Sequence, residues 1–307
     1  MGGPALVIVN PAAAGGRAAR RWPGLLSAVA ERLPGLVVRM TRGVGDGELI
    51  GREWGAKHPG GTVVVAGGDG TAHEVVNGLI SAGWRGCLGI IPAGTGNDFA
   101  RSAGLPLNDR EAVERLGDGT SRMVDLGLIR FVNRSGVPVE RRFLNAVSVG
   151  VSPRANRLAH SVKWFLPGRL SYALSGVLAL FLEGRGEFSI THDGVSILSG
   201  EALNITVANG ASFGGGMRIS PESRLDDGVL DQVVIGPVGA LRALLALSRL
   251  YQGSHVGMPG VTVTPVRGTM VVSRAGRPLL LEADGHDFET EGALSISLQP
   301  GAMTLFS

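Results

Sequence analysis

The chain has 307 residues, 44% of them hydrophobic, with 29 basic against 26 acidic side chains for a net charge of +3 and a single cysteine, Cys87. Such a length can bury two cores of ordinary size, and one cysteine excludes an intramolecular disulfide and suits a reducing compartment. The basic side chains are scattered, which argues against a nucleic-acid-binding stripe, and the local run Arg17, Arg20 and Arg21 reads as a solvated helix face.

The first apolar run, Ala5 to Val9, has no basic segment before it and is followed by Asn10-Pro11, so it reads as a buried strand and not as a signal peptide. A loop through Gly15-Gly16 leads to a predicted helix over Ala18 to Leu33, ending near Pro34. A strand at Leu36 to Met40, a helix around Asp46 to Lys57, a β-branched strand at Thr62 to Ala66, a helix from Thr71 to Ala82 and a strand at Leu88 to Pro92 follow. This alternation through residue 120 predicts an α/β domain with a mostly parallel sheet, whose ligands belong at the carboxyl ends of its strands.

After Asp125 short β-rich segments take over: Arg142 to Val149, Glu187 to His192, Val195 to Leu198, Ala202 to Ala208, Val229 to Ile235, Val261 to Val266, Thr269 to Ser273 and Leu279 to Ala283. They predict an antiparallel sandwich interrupted by helices at Ser171 to Leu182 and Val238 to Gln252. The longest apolar run, Tyr172 to Leu182, falls short of the ~20 residues a spanning helix needs, so no transmembrane segment is expected. Trp164 and Phe165, with Lys163 and Arg169 nearby, fit either core packing or a mouth for an acyl chain.

Two glycine loops carry the chemistry. Gly67-Gly68-Asp69-Gly70-Thr71 lies between a predicted strand and a predicted helix, where glycines bring backbone N–H groups close to phosphate and the helix N-terminus adds a favourable dipole. It lacks the Gly-Lys-Ser/Thr of a P-loop and the spacing of the dinucleotide fingerprint. A tight turn alone gives Asp69 no purpose, whereas a carboxylate beside phosphates points to a bridging cation or a proton transfer. The second loop, Pro92 to Arg101, follows the next strand and opens onto the same sheet edge, with Asn97 or Asp98 as a helix cap compatible with substrate contact.

Asn10-Pro11 with Gly15-Gly16, the Gly-Gly-Asp-Gly-Thr loop and the run Gly94 to Arg101 together resemble the diacylglycerol kinase catalytic-domain family, which includes bacterial lipid kinases and relatives of sphingosine and ceramide kinases. Val124 to Gly127, Asn145 to Gly150, Asn209-Gly210 and Leu225 to Gly228 extend the resemblance over nearly the whole chain. The resemblance implies two domains with the active site in the cleft: 1–128 as a nucleotide-binding α/β domain, rejoined by the C-terminal segment 291–307, and 129–290 as a larger β-rich domain for the lipid.

It further implies that Asn10, Thr41, Gly67, Gly68, Asp69, Gly70, Thr71, Gly94 and Thr95 line an ATP site, with Asp69 near Mg²⁺, and that Asp284 of Asp284-Gly285 is the general base. Asp284-Gly285 also reads as a plain β-turn, and Asp69 remains an alternative base. The family carries glutamate where this chain has His286, and Asp287 or Glu289 are the carboxylates near enough in sequence to replace it. Asp227, with the carbonyls of Arg224 and Val229, resembles the family's structural Mg²⁺ site, oxygen ligands on a turn that also reads as an ordinary one. His73 shares a helix with Glu74 and Asn77 and reads as packed.

The function expected from the resemblance is transfer of the ATP γ-phosphoryl group to a lipid hydroxyl, with diacylglycerol giving phosphatidic acid as the first choice. The enzyme would be cytoplasmic, meet its lipid transiently at the inner membrane face and bind no nucleic acid, with a homodimer left open. A catalytically impaired nucleotide or lipid sensor is the alternative that His286 keeps open. NAD kinase is a weaker one, because its Asn-Glu acceptor pair is not evident.

Overall fold

A computed structural model describes residues 3–116, 120–162, 175, 185–238 and 248–307. The chain divides into two compact units: unit 1, Met1–Asp125 with Pro300–Ser307, and unit 2, Leu126–Gln299.

Unit 1 begins with β1 (Ala5–Val9), α1 (Ala13–Arg32), β2 (Val37–Met40), α2 (Asp46–Lys57), β3 (Thr62–Gly67), α3 (Asp69–Ser81) and β4 (Cys87–Pro92), followed by the short helices α4 (Asp98–Ser102) and α5 (Asp109–Glu114). The sheet order β2-β1-β3-β4 is parallel throughout. β1 is buried along its whole length and β3 and β4 nearly so, as expected for apolar runs in a parallel sheet covered on both faces. On one face Trp22, Leu25 and Val29 of α1, a stripe at helical spacing, pack with Val113 and Leu116 onto Val7, Val9, Val64 and Ile91.

α3 packs against α2 through a seam of glycines. Gly47, Gly51 and Gly55 recur every fourth residue along α2, and a Cβ on Gly51 would lie 2.7 Å from the Val75 carbonyl. Only glycine permits this backbone approach. Burial pushes the Cys87 thiol up to about 12, so it stays protonated and inert.

β5 (Ser121–Val132) carries the chain from unit 1 into unit 2, where β6 (Pro138–Phe143), β7 (Ala146–Gly150), α6 (Val151–Val162), β8 (Gly186–His192), β9 (Val195–Ala202), β10 (Asn204–Ala208), β11 (Leu230–Ile235), β12 (Val261–Val266), β13 (Met270–Arg274), β14 (Leu279–Ala283) and β15 (His286–Thr290) follow. β16 (Leu294–Phe306) returns to unit 1, where its end pairs parallel with β4 through Thr304–Cys87 and Leu305–Leu88.

In unit 2 one antiparallel sheet has the order β12-β11-β10-β7-β14-β15, and a second is built from β16, β13, β8 and β9 with β5 and β6. An apolar core that includes Phe143, Val149, Phe188, Ile205, Leu230, Val272 and Leu281 draws on strands of both sheets. This is the expected sandwich.

Some boundaries depart from the sequence reading. The strand expected over Arg142 to Val149 is two strands, β6 and β7, because the N–H groups of Leu144, Asn145 and Ala146 turn to the Asp284 carboxylate. Helical geometry in α1 is broken at Ala14, Gly15 and Gly16, three successive left-handed residues, before the continuous helix. Apart from Ser175, which is helical, the expected helix over 171–182 and its aromatic and basic neighbours at 163–169 lie outside the described residues, and that over 238–252 is described as helical at 248–252. Among the described residues no helix is long and apolar enough to cross a membrane.

Candidate functional site

At the carboxyl edge of the unit 1 sheet, the segments following β1, β2, β3 and β4 carry the residues the sequence nominated. Asn10 donates from its backbone N–H to the Ala66 carbonyl at 2.9 Å and from Nδ2 to the Thr71 hydroxyl at 2.8 Å, which ties the end of β1 to the first turn of α3. Thr41 follows β2 and donates its N–H to Val9 at 2.9 Å. The Ala93 N–H reaches the Gly67 carbonyl at 2.9 Å, so the ladder of β3 and β4 extends into the second loop.

The two glycine loops touch backbone to backbone. A Cβ on Gly68 would lie 3.1 Å from Gly94 Cα, and one on Gly67 would lie 2.8 Å from Thr71 Cβ. α3 starts from Gly68 in an extended conformation with no side-chain cap. The first N–H groups of a helix have no intrahelical acceptor, and they concentrate its positive dipole end where an anion is stabilised. Gly70 and Thr71 sit at this end, and Thr95 in the second loop is exposed.

Asp69 has a structural duty that sequence did not reveal: its Oδ1 accepts the Phe99 N–H at 2.9 Å, capping α4 from the other loop. The expectation that a plain turn leaves Asp69 purposeless is therefore corrected, since it welds the two loops. The cap expected from Asn97 is corrected as well. Asn97 occupies the N-cap position in a left-handed conformation but makes no cap bond, because its Oδ1 accepts from the Gly94 N–H at 2.8 Å and its Nδ2 donates to the Gly94 carbonyl at 3.2 Å. Asp98 is buried at the start of α4.

A cavity of about 200 Å³ opens beside the second loop, lined among others by Val9, Ala66, Gly94, Asn97, Arg17 and Arg21. Both arginines are exposed, as the solvated-face reading has them, and both also line the cavity, where Arg21 pairs with Asp109 at 3.3 Å.

In unit 2, Asp284 and Gly285 form a two-residue hairpin loop between β14 and β15, closed by the Ala283–His286 pair, with φ of 46° and 88°. Positive φ at both positions is the hairpin geometry that Asp-Gly favours. The turn reading therefore holds, and the side chain does more. Asp284 is buried and accepts three backbone N–H groups, from Leu144 at 2.6 Å, Asn145 at 2.9 Å and Ala146 at 3.3 Å. Asn209 joins the corner by donating its N–H to the Asn145 carbonyl at 2.7 Å and its Nδ2 to the Leu144 carbonyl at 2.8 Å.

His286 opens β15, and strand alternation puts it on the face of Phe288, which packs against the core, while Asp287 and Glu289 point the other way. Asp287 pairs with Arg157 at 3.2 Å and Glu289 with Arg134 at 3.5 Å. Neither carboxylate shares the face of His286. In the Asp226-Asp227 turn, Asp227 Oδ1 accepts the Val229 N–H at 3.1 Å and Asp226 pairs with Arg224 at 3.2 Å. The Asp227 side chain is exposed.

Residues 4–129 match the family model of the diacylglycerol kinase catalytic domain, and residues 145–307 match that of the YegS C-terminal NAD kinase beta sandwich-like domain. The chain is 33% identical over 277 residues to a Pseudomonas aeruginosa protein named "Probable lipid kinase YegS-like", covering 87% of this chain and 83% of that one. It is 31% identical over 242 residues to a diacylglycerol kinase of Mycobacterium tuberculosis, covering 78% and 75%. Among solved structures, a candidate diacylglycerol kinase of Bacillus anthracis superposes with a TM-score of 0.78 at 26% identity, covering 99% and 97%. An ATP complex of an Archaeoglobus fulgidus NAD kinase, with a TM-score of 0.53 at 13% identity over 99% and 93% of the two chains, shares the fold.

Proposed function

The chain belongs to the diacylglycerol kinase catalytic-domain family of bacterial lipid kinases, and from that membership we propose that it transfers the γ-phosphoryl group of ATP to a lipid hydroxyl, with diacylglycerol as the acceptor and phosphatidic acid as the product. The observation that carries the reading is the pair of glycine loops packed on each other at the carboxyl edge of a parallel sheet, with a carboxylate, Asp69, spanning them.

In this reading the α3 N-terminus, Asn10, Thr41 and the loops around Gly67 to Thr71 and Gly94-Thr95 hold the nucleotide, and Arg17 and Arg21 add positive charge at the cavity wall. Such positioning and charge neutralisation supply most of the rate in phosphoryl transfer. Asp69 would hold a Mg²⁺ brought with ATP, which would supply charge neutralisation for the transfer. Asn97 and Asp98 face the acceptor. Asp227 with the Arg224 and Val229 carbonyls keeps its place as a structural cation site.

Asp284 accepts the proton of the lipid hydroxyl. Three backbone N–H groups crowd around its carboxylate and orient it. The same crowding favours the second reading, a nucleotide or lipid sensor without turnover, in which Asp284 serves the fold alone. The acceptor lives in a bilayer, so the cytoplasmic enzyme meets the membrane surface transiently.

The test is phosphate transfer from γ-labelled ATP and Mg²⁺ to diacylglycerol, a sphingoid base, ceramide and a polyprenol in mixed micelles. The expected result is label in phosphatidic acid. Binding of ATP with no label in any lipid would decide for the sensor.

A further inference from the structure

Glu74, which follows His73 on α3, makes a contact that the phosphate loops do not explain. Its side chain is buried, and its two oxygens accept the backbone N–H groups of Gly45 at 2.8 Å and Gly47 at 3.1 Å. Gly45 is the N-cap of α2, left-handed at φ 85°, and α2 has no side-chain cap from that residue. A carboxylate from α3 therefore caps α2 in its stead, and the N-terminal dipole of α2 favours that negative charge. Hydrogen bonds to an ionised acceptor are the strong kind.

The loop pinned in this way is the one that leaves β2 at Thr41. Arg42 donates its N–H to Asp46 Oδ2 at 2.8 Å, Asp46 donates its N–H to Gly43 at 3.3 Å, and Glu74 takes the amides of Gly45 and Gly47, so four amides between 42 and 47 have an acceptor within this corner. The glycine seam removes the remaining freedom: a Cβ on Gly47 would lie 2.9 Å from Glu74 Oε2. Three residues before Glu74, Thr71 holds the end of β1 through Asn10. One helix, α3, thus fixes the exits of β1 and β2 relative to its own N-terminus.

We propose that Glu74 is a positioning residue for the nucleotide site, setting the place of Thr41 relative to the Gly67–Thr71 loop through the Gly45 and Gly47 amides. The proposal rests on the reading of Thr41 as a nucleotide contact. It is tested on the full chain with a fluorescent methylanthraniloyl ATP, comparing wild type, Glu74→Gln, Thr41→Ala and the double variant.

Glutamine keeps one oxygen for one amide and turns an NH₂ toward the other, so Glu74→Gln weakens the analogue by about tenfold. Both single variants act through the same contact, so the double variant binds no more weakly than Thr41→Ala. Gly47→Ala, which pushes on the carboxylate from the other side, shows the same non-additivity with Thr41→Ala and serves should Glu74→Gln fold poorly. Wild-type binding by Glu74→Gln and Gly47→Ala, full multiplication of the single effects, or wild-type binding by Thr41→Ala would each overturn the proposal. No binding by the wild type would remove the nucleotide reading of unit 1 itself.

Discussion

Two carboxylates nominated for chemistry sit in corners built on opposite plans. In unit 1, Asp69 is half-buried and its Oδ1 accepts the Phe99 N–H across two glycine loops whose backbones pack closely on each other. In unit 2, Asp284 is buried and is itself the hub, with three N–H groups of the entry to β7 converging on it. Removing the Asp69 charge should leave its corner standing, and removing that of Asp284 should not.

The largest effect on stability is expected at Asp284→Asn. Asparagine tolerates the left-handed backbone at φ 46°, so the loss reports the side chain, whose NH₂ now faces donors. Unit 2 should lose about 3 kcal/mol in urea denaturation; a loss under about 1 kcal/mol would break the contrast. Gly94→Ala comes next, because its new Cβ presses on the Gly68 backbone and on Asn97 Oδ1. It should cost about 2 kcal/mol and abolish binding of an ATP analogue, both read on one sample by thermal shift with and without nucleotide. Asp69→Asn keeps an oxygen for the Phe99 N–H and should change stability by less than about 1 kcal/mol.

The smallest effect separates the units by pH. His255 in unit 2 is buried, donates from Nε2 to the Ile219 carbonyl at 2.9 Å, and has no partner at Nδ1 among the described residues. Burial holds its pKa below the usual value, with the Ile219 bond opposing. The unfolded chain therefore binds the proton more readily. The contribution of neutral His255 is complete above the unfolded pKa of about 6.5 and is lost as pH falls below it toward the folded value. His255→Gln, which keeps a donor for Ile219, should flatten this part of the pH profile of unfolding, and an unchanged slope would rule it out.

The strands and glycine loops of unit 1 were legible because parallel strands and their turns are written locally, in apolar runs such as Thr62 to Ala66 and in Gly67-Gly68. The sandwich of unit 2 was legible in outline, but the break between β6 and β7 was not, since its cause, Asp284, lies about 140 residues away in sequence. The same holds within the site. That Asp69 caps α4, that Glu74 caps α2 and that Arg17 and Arg21 line a cavity are all contacts between distant segments, and residue type alone gives only their possibility.

Single-turnover transfer of γ-labelled phosphate to diacylglycerol by wild type and by Asp69→Asn, whose corner the Phe99 bond preserves, tests the central claim most directly. Labelled phosphatidic acid from the wild type, with a rate at least roughly 100-fold lower in the folded variant, is the result predicted. Transfer by Asp69→Asn at the wild-type rate would contradict it.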